Sequence, residues 1–228
     1  MSGPVPEVLV FDMDGVLVDV SRSYREAIRR TVERFTGRLP SHDEIQALKN
    51  RGGMNNDWDL SFALIRQSGA APSYEEVVEE FQRIFWGRDG DGLILEERWI
   101  PQPGLLERLA ARRRLAIFTG RLRQEAEHTL RRFAQGIGFD PLVAHEDVER
   151  TKPAPDGLLR IAAAFPGRTL WYLGDSVDDA RSARSASVPF VGIAPPGHPR
   201  REELARLLEA EGAMAVLASV NQLEELLG

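Results

Sequence analysis

The sequence predicts an α/β fold: a three-layer core around a mostly parallel sheet, with an all-helical domain inserted near its start. Three observations carry this. Short apolar runs recur along the 228 residues, amphipathic helical stripes separate most of them, and one long interval breaks the alternation. Strands that alternate with helices pair in parallel, because each crossover helix returns the chain to the same end of the sheet. The interval from about residue 20 to residue 97 holds only helical patterns, and it is too long for a crossover loop.

Val8–Phe11 is continuously apolar and stops at acids, as a strand buried on both faces would. Similar runs fall at residues 115–118, 141–144, 170–173, 190–193 and 213–217. Helices are read from Leu105, Leu106, Leu109 and Ala110, from Leu158, Ile161, Ala162 and Phe165, and from Leu204, Leu207 and Leu208. Inside the long interval, Tyr24, Ala27, Ile28, Thr31, Val32 and Phe35 recur at helical spacing, as do Tyr74, Val77, Val78, Phe81, Ile84 and Phe85. Ser41-x-x-Glu44 and Ser73-x-x-Glu76 read as capping boxes that start helices. The expected division is a Rossmann-like core of residues 1–19 and 98–228, with residues 20–97 as the helical insertion.

Composition removes several function classes. With 29 Lys+Arg against 35 Asp+Glu the net charge is −6, and no basic tail or stripe offsets it, so nucleic acid is not an expected partner. The absence of cysteine excludes disulfides, iron–sulfur clusters, thiolate zinc sites and cysteine nucleophiles. No apolar run approaches the roughly 18 residues that a membrane span needs. The opening residues lack the basic and apolar regions of a secretory leader, so the expectation is a soluble, cytoplasmic protein without a membrane partner. Lys49 and Lys152 are the only lysines among the 29 basic residues.

Open parallel sheets bind ligands beyond the carboxyl ends of their strands. Asp12-Met-Asp14-Gly15 follows the first run and Thr119-Gly120-Arg121 the second; Thr151-Lys152-Pro153 comes after the third, and Gly174-Asp175-Ser176-Val177-Asp178-Asp179 ends the fourth. Asp12, Asp14, Asp175 and Asp179 would place several negative charges together, and two like charges 4 Å apart repel by about 4 kcal/mol at an effective dielectric near 20. Such a cluster calls for a cation, and an all-oxygen donor set selects a hard one, Mg²⁺. No His or Cys lies in these motifs, and His42, His128, His145 and His198 show no metal-ligand spacing. Asp12 could also open an EF-hand loop, but Ser23 stands where that loop needs its twelfth-position Glu.

Asp-x-Asp-Gly-Val, an isolated Thr, Lys-Pro and Gly-Asp-x-x-x-Asp, in this order and each after a strand, resemble the four motifs of the haloacid dehalogenase superfamily. The likeness covers the whole chain and points to subfamily IA, phosphoglycolate phosphatase-like, with the insertion similar to its helical cap. The resemblance implies that Asp12 is a nucleophile forming an aspartyl-phosphate, and that Asp14 is the acid and then the base, its carbonyl also ligating Mg²⁺. It further implies that Thr119, with backbone amides near Gly15 and Gly120, holds the phosphoryl oxygens. Lys152 would neutralise charge between nucleophile and phosphate. Asp175 would bind Mg²⁺ directly, and Asp179 through water or by orienting Lys152; the adjacent Asp178 could exchange roles with it. Dehalogenating members lack an acid two residues after the nucleophile, so Asp14 argues for phosphate chemistry.

The segment 49–58 carries two glycines, three asparagines, Arg51, Asp57 and Trp58, the composition of a shaped polar loop between helices. Arg51 and Asn55 or Asn56 are expected to face the leaving group, with Trp58 as a wall. The alternative is an Asx-capped turn that starts a helix at Asp57, with Trp58 in the helical core. Arg121 either clamps an anionic group or forms a surface ion pair. The function expected is a Mg²⁺-dependent phosphatase acting on a small phosphorylated metabolite as a monomer or weak homodimer. Alternatives are a phosphomutase of the β-phosphoglucomutase type and, more remotely, a phospho-accepting receiver module. Receivers carry their acid pair before a phospho-acceptor on a later strand and lack a helical insertion.

Overall fold

The computed structural model describes residues 5–228; residues 1–4, the start of the expected core domain, lie outside the described residues. Six strands form one parallel sheet: β1 (Val8–Phe11), β4 (Arg114–Phe118), β5 (Leu142–Val143), β6 (Leu170–Gly174), β7 (Phe190–Ile193) and β8 (Ala215–Leu217), in spatial order β5-β4-β1-β6-β7-β8. Each of the six apolar runs in the sequence holds one strand. Because β1 lies between β4 and β6, the order reverses around it, and the loops after these three strands open into one crevice.

The two faces of the sheet follow the strand period of two. Leu9, Phe11, Leu115, Ile117, Trp171 and Leu173 pack on α5 (Leu105–Ala110), α6 (Arg123–Phe133) and α10 (Leu223–Leu227). Val8, Val10, Ala116, Phe118, Leu170 and Tyr172 pack on α7 (Asp156–Ala164), α8 (Val177–Ala186) and α9 (Arg201–Ala210).

Between β1 and β4 the chain forms α1 (Tyr24–Thr36), α2 (His42–Lys49), α3 (Asp57–Gln67) and α4 (Tyr74–Phe85). These helices share an apolar cluster of their own that includes Ile28, Ile45, Leu60 and Phe81. Both capping boxes are present, Ser41 with Glu44 and Ser73 with Glu76. The sequence reading did not contain the antiparallel pair β2 (Val18–Asp19) and β3 (Arg98–Trp99), which binds the chain entering the helices to the chain leaving them. Two-residue strands are too short to show a period. Among the described residues, no helix is long and apolar enough to cross a membrane.

Candidate active site

β1 ends in a tight turn. The Met13 carbonyl accepts from Leu17 N (2.8 Å) and Val18 N (2.9 Å), and Gly15 N donates to Val18 O (2.8 Å). Gly15 has φ +70°, and a Cβ there would lie 1.9 Å from Asp175 Oδ2. Glycine therefore lets the turn carrying Asp12 and Asp14 close directly onto the end of β6.

Asp12 is 5% exposed at the mouth of the sheet. Lys152 Nζ donates to Asp12 Oδ1 at 2.8 Å and lies 2.7 Å from Asp179 Oδ1. The ammonium also sits 4.8 Å from the Phe118 ring centroid and 5.4 Å from that of Tyr172. Burial pushes the Asp12 carboxyl well above the usual carboxylate range; Lys152 opposes this, and Asp179, Asp14 and Asp175 add to it. Burial acts against the Lys152 charge, but Asp12 and Asp179 outweigh it and keep the ammonium protonated.

Asp179 is fully buried, with both oxygens engaged: Oδ1 accepts from Tyr172 Oη (2.6 Å), and Oδ2 accepts from Ser176 Oγ (2.6 Å) and Ser176 N (3.0 Å). Burial raises its pKa, yet Lys152 and these hydrogen bonds bring it below the usual value. Ser176 N-caps α8 at the same time, so the motif is a capping box as well as a cluster of acids. Asp178 points elsewhere, its Oδ1 accepting from Gly53 N (2.7 Å) in the loop before α3.

Asp175 is tied by no ion pair among the described residues, and burial, then Asp179, pushes its carboxyl up to about 7. Asp12, Asp175 and Asp179 each offer a carboxylate oxygen, all within 4.8 Å of one another. Three oxygens with no nitrogen or sulfur, one carboxyl unpaired and another held high, fit a hard divalent cation. The acids are also balanced by the protein's own cations, which the charge reading of the sequence did not count: Lys152, Arg121, and the nearby Arg25 and Lys49.

Thr119 (1% exposed) directly follows β4; its Oγ1 accepts from Arg121 N (3.2 Å). Gly120 lines the cavity, and a Cβ on it would lie 2.7 Å from Asn55 Nδ2, so Asn55 reaches over the β4 end. Arg121 differs from both expectations, a surface pair or an anion clamp. It is 2% exposed, with Nε donating to Asp14 Oδ1 (2.7 Å) and Nη2 lying 2.8 Å from Glu97 Oε1.

The helices close the crevice from above. Arg51 is exposed and lies outside the cavity lining, contrary to expectation, while the adjoining Gly52 and Gly53, both with positive φ, lie against the start of α8. Asn56 lines the cavity, but its Oδ1 N-caps α3 by accepting from Trp58 N (2.8 Å). Trp58 meets both readings: it lines the cavity, packs against the helical cluster, and sets its ring edgewise to His145 with centroids 5.8 Å apart.

Residues the motifs did not flag supply the rest. Arg25 donates from Nη2 to Gln46 Oε1 (2.9 Å), and its buried Nη1 finds no partner among the described residues. Lys49 Nζ pairs with Asp57 (2.6 Å), and Gln46 Nε2 donates to Asn50 Oδ1 (2.8 Å). Gln46 and Asn50 are buried polar residues four apart on or just past α2, a spacing visible in the sequence without any sign that it faces a cavity. Tyr24 Oη and Gln82 Nε2 donate to the buried Glu125 (2.7 and 3.0 Å), joining α1 and α4 to α6.

Residues 6–187 match the model of the haloacid dehalogenase-like hydrolases. The chain belongs to this family. An imidazoleglycerol-phosphate dehydratase of Phytophthora nicotianae is 31% identical over 95% of the chain, which spans only 51% of that relative's length. A phosphorylated carbohydrates phosphatase of Thermotoga maritima is 30% identical, over 80% of the chain and 82% of its own length. A haloacid dehalogenase-like hydrolase from Bacteroides fragilis has the same fold, with TM-score 0.76 at 23% identity over 96% of this chain and 99% of that one.

Proposed function

We propose that the protein is a Mg²⁺-dependent phosphatase hydrolysing a small phosphomonoester through an aspartyl-phosphate on Asp12, with residues 20–97 acting as a cap over the site. One observation carries the reading: two carboxylates two residues apart have separate partners, Asp12 with Lys152 and Asp14 with Arg121. Paired acids in different environments serve different steps. Asp12 attacks phosphorus as the bond to the leaving oxygen breaks, and Asp14 gives that oxygen its proton. Asp14 then takes a proton from the attacking water, the acyl–phosphate bond breaks, and phosphate leaves with Asp12 restored. Lys152 offsets charge on the transferring group, and Thr119 with the amides near Gly15 and Gly120 holds its equatorial oxygens. Mg²⁺, held by Asp12, Asp175 and the Asp14 carbonyl with Asp179 behind them, would neutralise phosphoryl charge. The likeness to a Thermotoga phosphatase of phosphorylated carbohydrates supports a small-molecule phosphate.

With p-nitrophenyl phosphate, EDTA should abolish release of nitrophenol, and excess Mg²⁺ should restore it; activity unchanged by EDTA would refute the metal requirement. A panel containing phosphoglycolate, sugar phosphates and histidinol phosphate, ranked by kcat/KM, identifies the substrate class. Dependence on a sugar bisphosphate with no net phosphate release would select the mutase.

The placement of Arg25 shifts the expectation about specificity. Arg25→Met should raise KM for the best panel substrate by about tenfold or more, the loss of one charge-assisted hydrogen bond. It should change KM for p-nitrophenyl phosphate far less, and Arg51→Ala should alter neither; an effect of Arg51→Ala alone would return the assignment to the exposed loop.

A further inference from the structure

We propose that Arg121 is a positioning residue that presents Asp14 to the leaving group, held in register by Glu97; this rests on the reading of Asp14 as acid and base. The guanidinium is walled in. Its Nε donates to Asp14 Oδ1 (2.7 Å) and its Nη2 lies 2.5 Å from the same oxygen, while Nη2 also lies 2.8 Å from Glu97 Oε1. Nη1 donates to Thr129 Oγ1 (2.9 Å), and Thr129 Oγ1 donates to Glu97 Oε2 (2.7 Å). The Tyr24 ring covers the guanidinium carbon at 5.0 Å from its centroid. A buried guanidinium needs paired charge to be tolerated, and Glu97, 3% exposed, supplies one full carboxylate inside the protein.

Charge compensation alone would be met by Glu97, so the second pairing, with a residue facing the cavity, has another consequence. The Asp14 side chain is 30% exposed, and both Arg121 contacts fall on Oδ1. Oδ2 is therefore the oxygen turned to substrate, and the Thr129–Glu97 brace fixes the plane from which it projects. Glu97 immediately precedes β3, the strand on which the chain returns from the helical block, so the brace joins that crossing point to the acid. Nε and Nη1 are thus spent inside the protein, on Asp14 and Thr129.

The test is kcat/KM of the Mg²⁺-loaded enzyme across aryl and alkyl phosphates of increasing leaving-group pKa. This ratio reports the steps through the first P–O cleavage, where Asp14 acts as the acid. Arg121→Gln should retain kcat/KM within about fivefold for 2,4-dinitrophenyl phosphate, which needs no acid, and lose about 10²-fold for alkyl phosphates, the low end of what a general acid contributes. The loss should appear in kcat with KM little changed. Glu97→Gln preserves shape and should steepen the leaving-group dependence less; it carries the test by itself if Arg121→Gln fails to fold. Arg121→Lys, with one donor centre, should not restore the wild-type slope. An unchanged slope in the folded variants, or a rise in KM confined to doubly anionic substrates, overturns the proposal. Asp14→Asn is the separating control: if it leaves the slope unchanged, the acid reading of Asp14 has failed and not the role of Arg121.

Discussion

Asp12→Asn should give a folded protein whose turnover of p-nitrophenyl phosphate falls by about 10⁴-fold or more, the scale of removing a covalent nucleophile. An amide oxygen does not form the acyl-phosphate, and neither Asp179 nor Asp14 is free to replace it. Asp179 has both oxygens engaged, and Asp14 is held by Arg121. The same substitution should leave the metal-free protein at least as stable as the wild type. Burial and the neighbouring acids raise the Asp12 carboxyl well above its ordinary value, so its ionised form is disfavoured in the folded state. A folded-state pKa above the unfolded one adds stability only at low pH, and that contribution is lost as pH rises. At neutral pH the asparagine removes this cost, and Lys152 keeps Asp179 as its partner at 2.7 Å. Thermal melts without Mg²⁺ should show the variant equal or higher at pH 7.5, with the difference shrinking toward pH 4. Added Mg²⁺ should raise the wild type more, because one oxygen donor is gone from the variant. Retained turnover would refute the covalent mechanism, and a large drop in metal-free melting temperature would refute the account of the cluster.

Much of the fold was legible because its signals are local. Val8–Phe11 and the later runs are apolar on both faces, and only a strand between two helical layers has that environment. The capping boxes announce α2 and α4 because serine and glutamate satisfy amides within three residues. The acids at the strand ends were equally readable, since topology brings the ends of β1, β4 and β6 to one crevice whatever the side chains do. What the sequence concealed depends on contacts between distant segments. Arg121 is written like any of the other arginines, and nothing near it announces Glu97 or Asp14 as partners. Arg51 draws the sequence reading because it stands in an unusual loop, whereas Arg25 lies inside an ordinary amphipathic helix and draws none. The path of the chain after Arg51 runs through two adjacent glycines with positive φ, and glycine leaves that path open in the sequence.

Lys152→Met should lower both stability and turnover. Its ammonium is the shared counter-charge of Asp12 and Asp179, and the lysine side chain is 1% exposed. Removing one partner of a buried ion pair costs about 3–5 kcal/mol, because the remaining charge is left uncompensated. Chemical denaturation read by fluorescence should show that loss in EDTA and a smaller one in Mg²⁺, since a divalent cation replaces part of the missing positive charge. Turnover should fall by about 10³-fold in either case, because the cation lies against the Asp12 carboxylate itself and not only in the metal cluster. Lys152→Arg separates charge from shape. A guanidinium keeps the charge, but it is planar, carries five donors, and must fit where Phe118 and Tyr172 already pack 4.8 and 5.4 Å from the ammonium. Overpacking of this kind costs about 1–3 kcal/mol and displaces Asp12 from its line of attack. Lys152→Arg should therefore recover most of the stability and little of the turnover. A fully active Lys152→Arg enzyme would mean that the site requires positive charge alone. In a chain whose basic residues are arginine except at two positions, the lysine at 152 would then be incidental. The packing around Nζ argues the opposite: a compact ammonium is the cation that fits between two carboxylates and two aromatic rings.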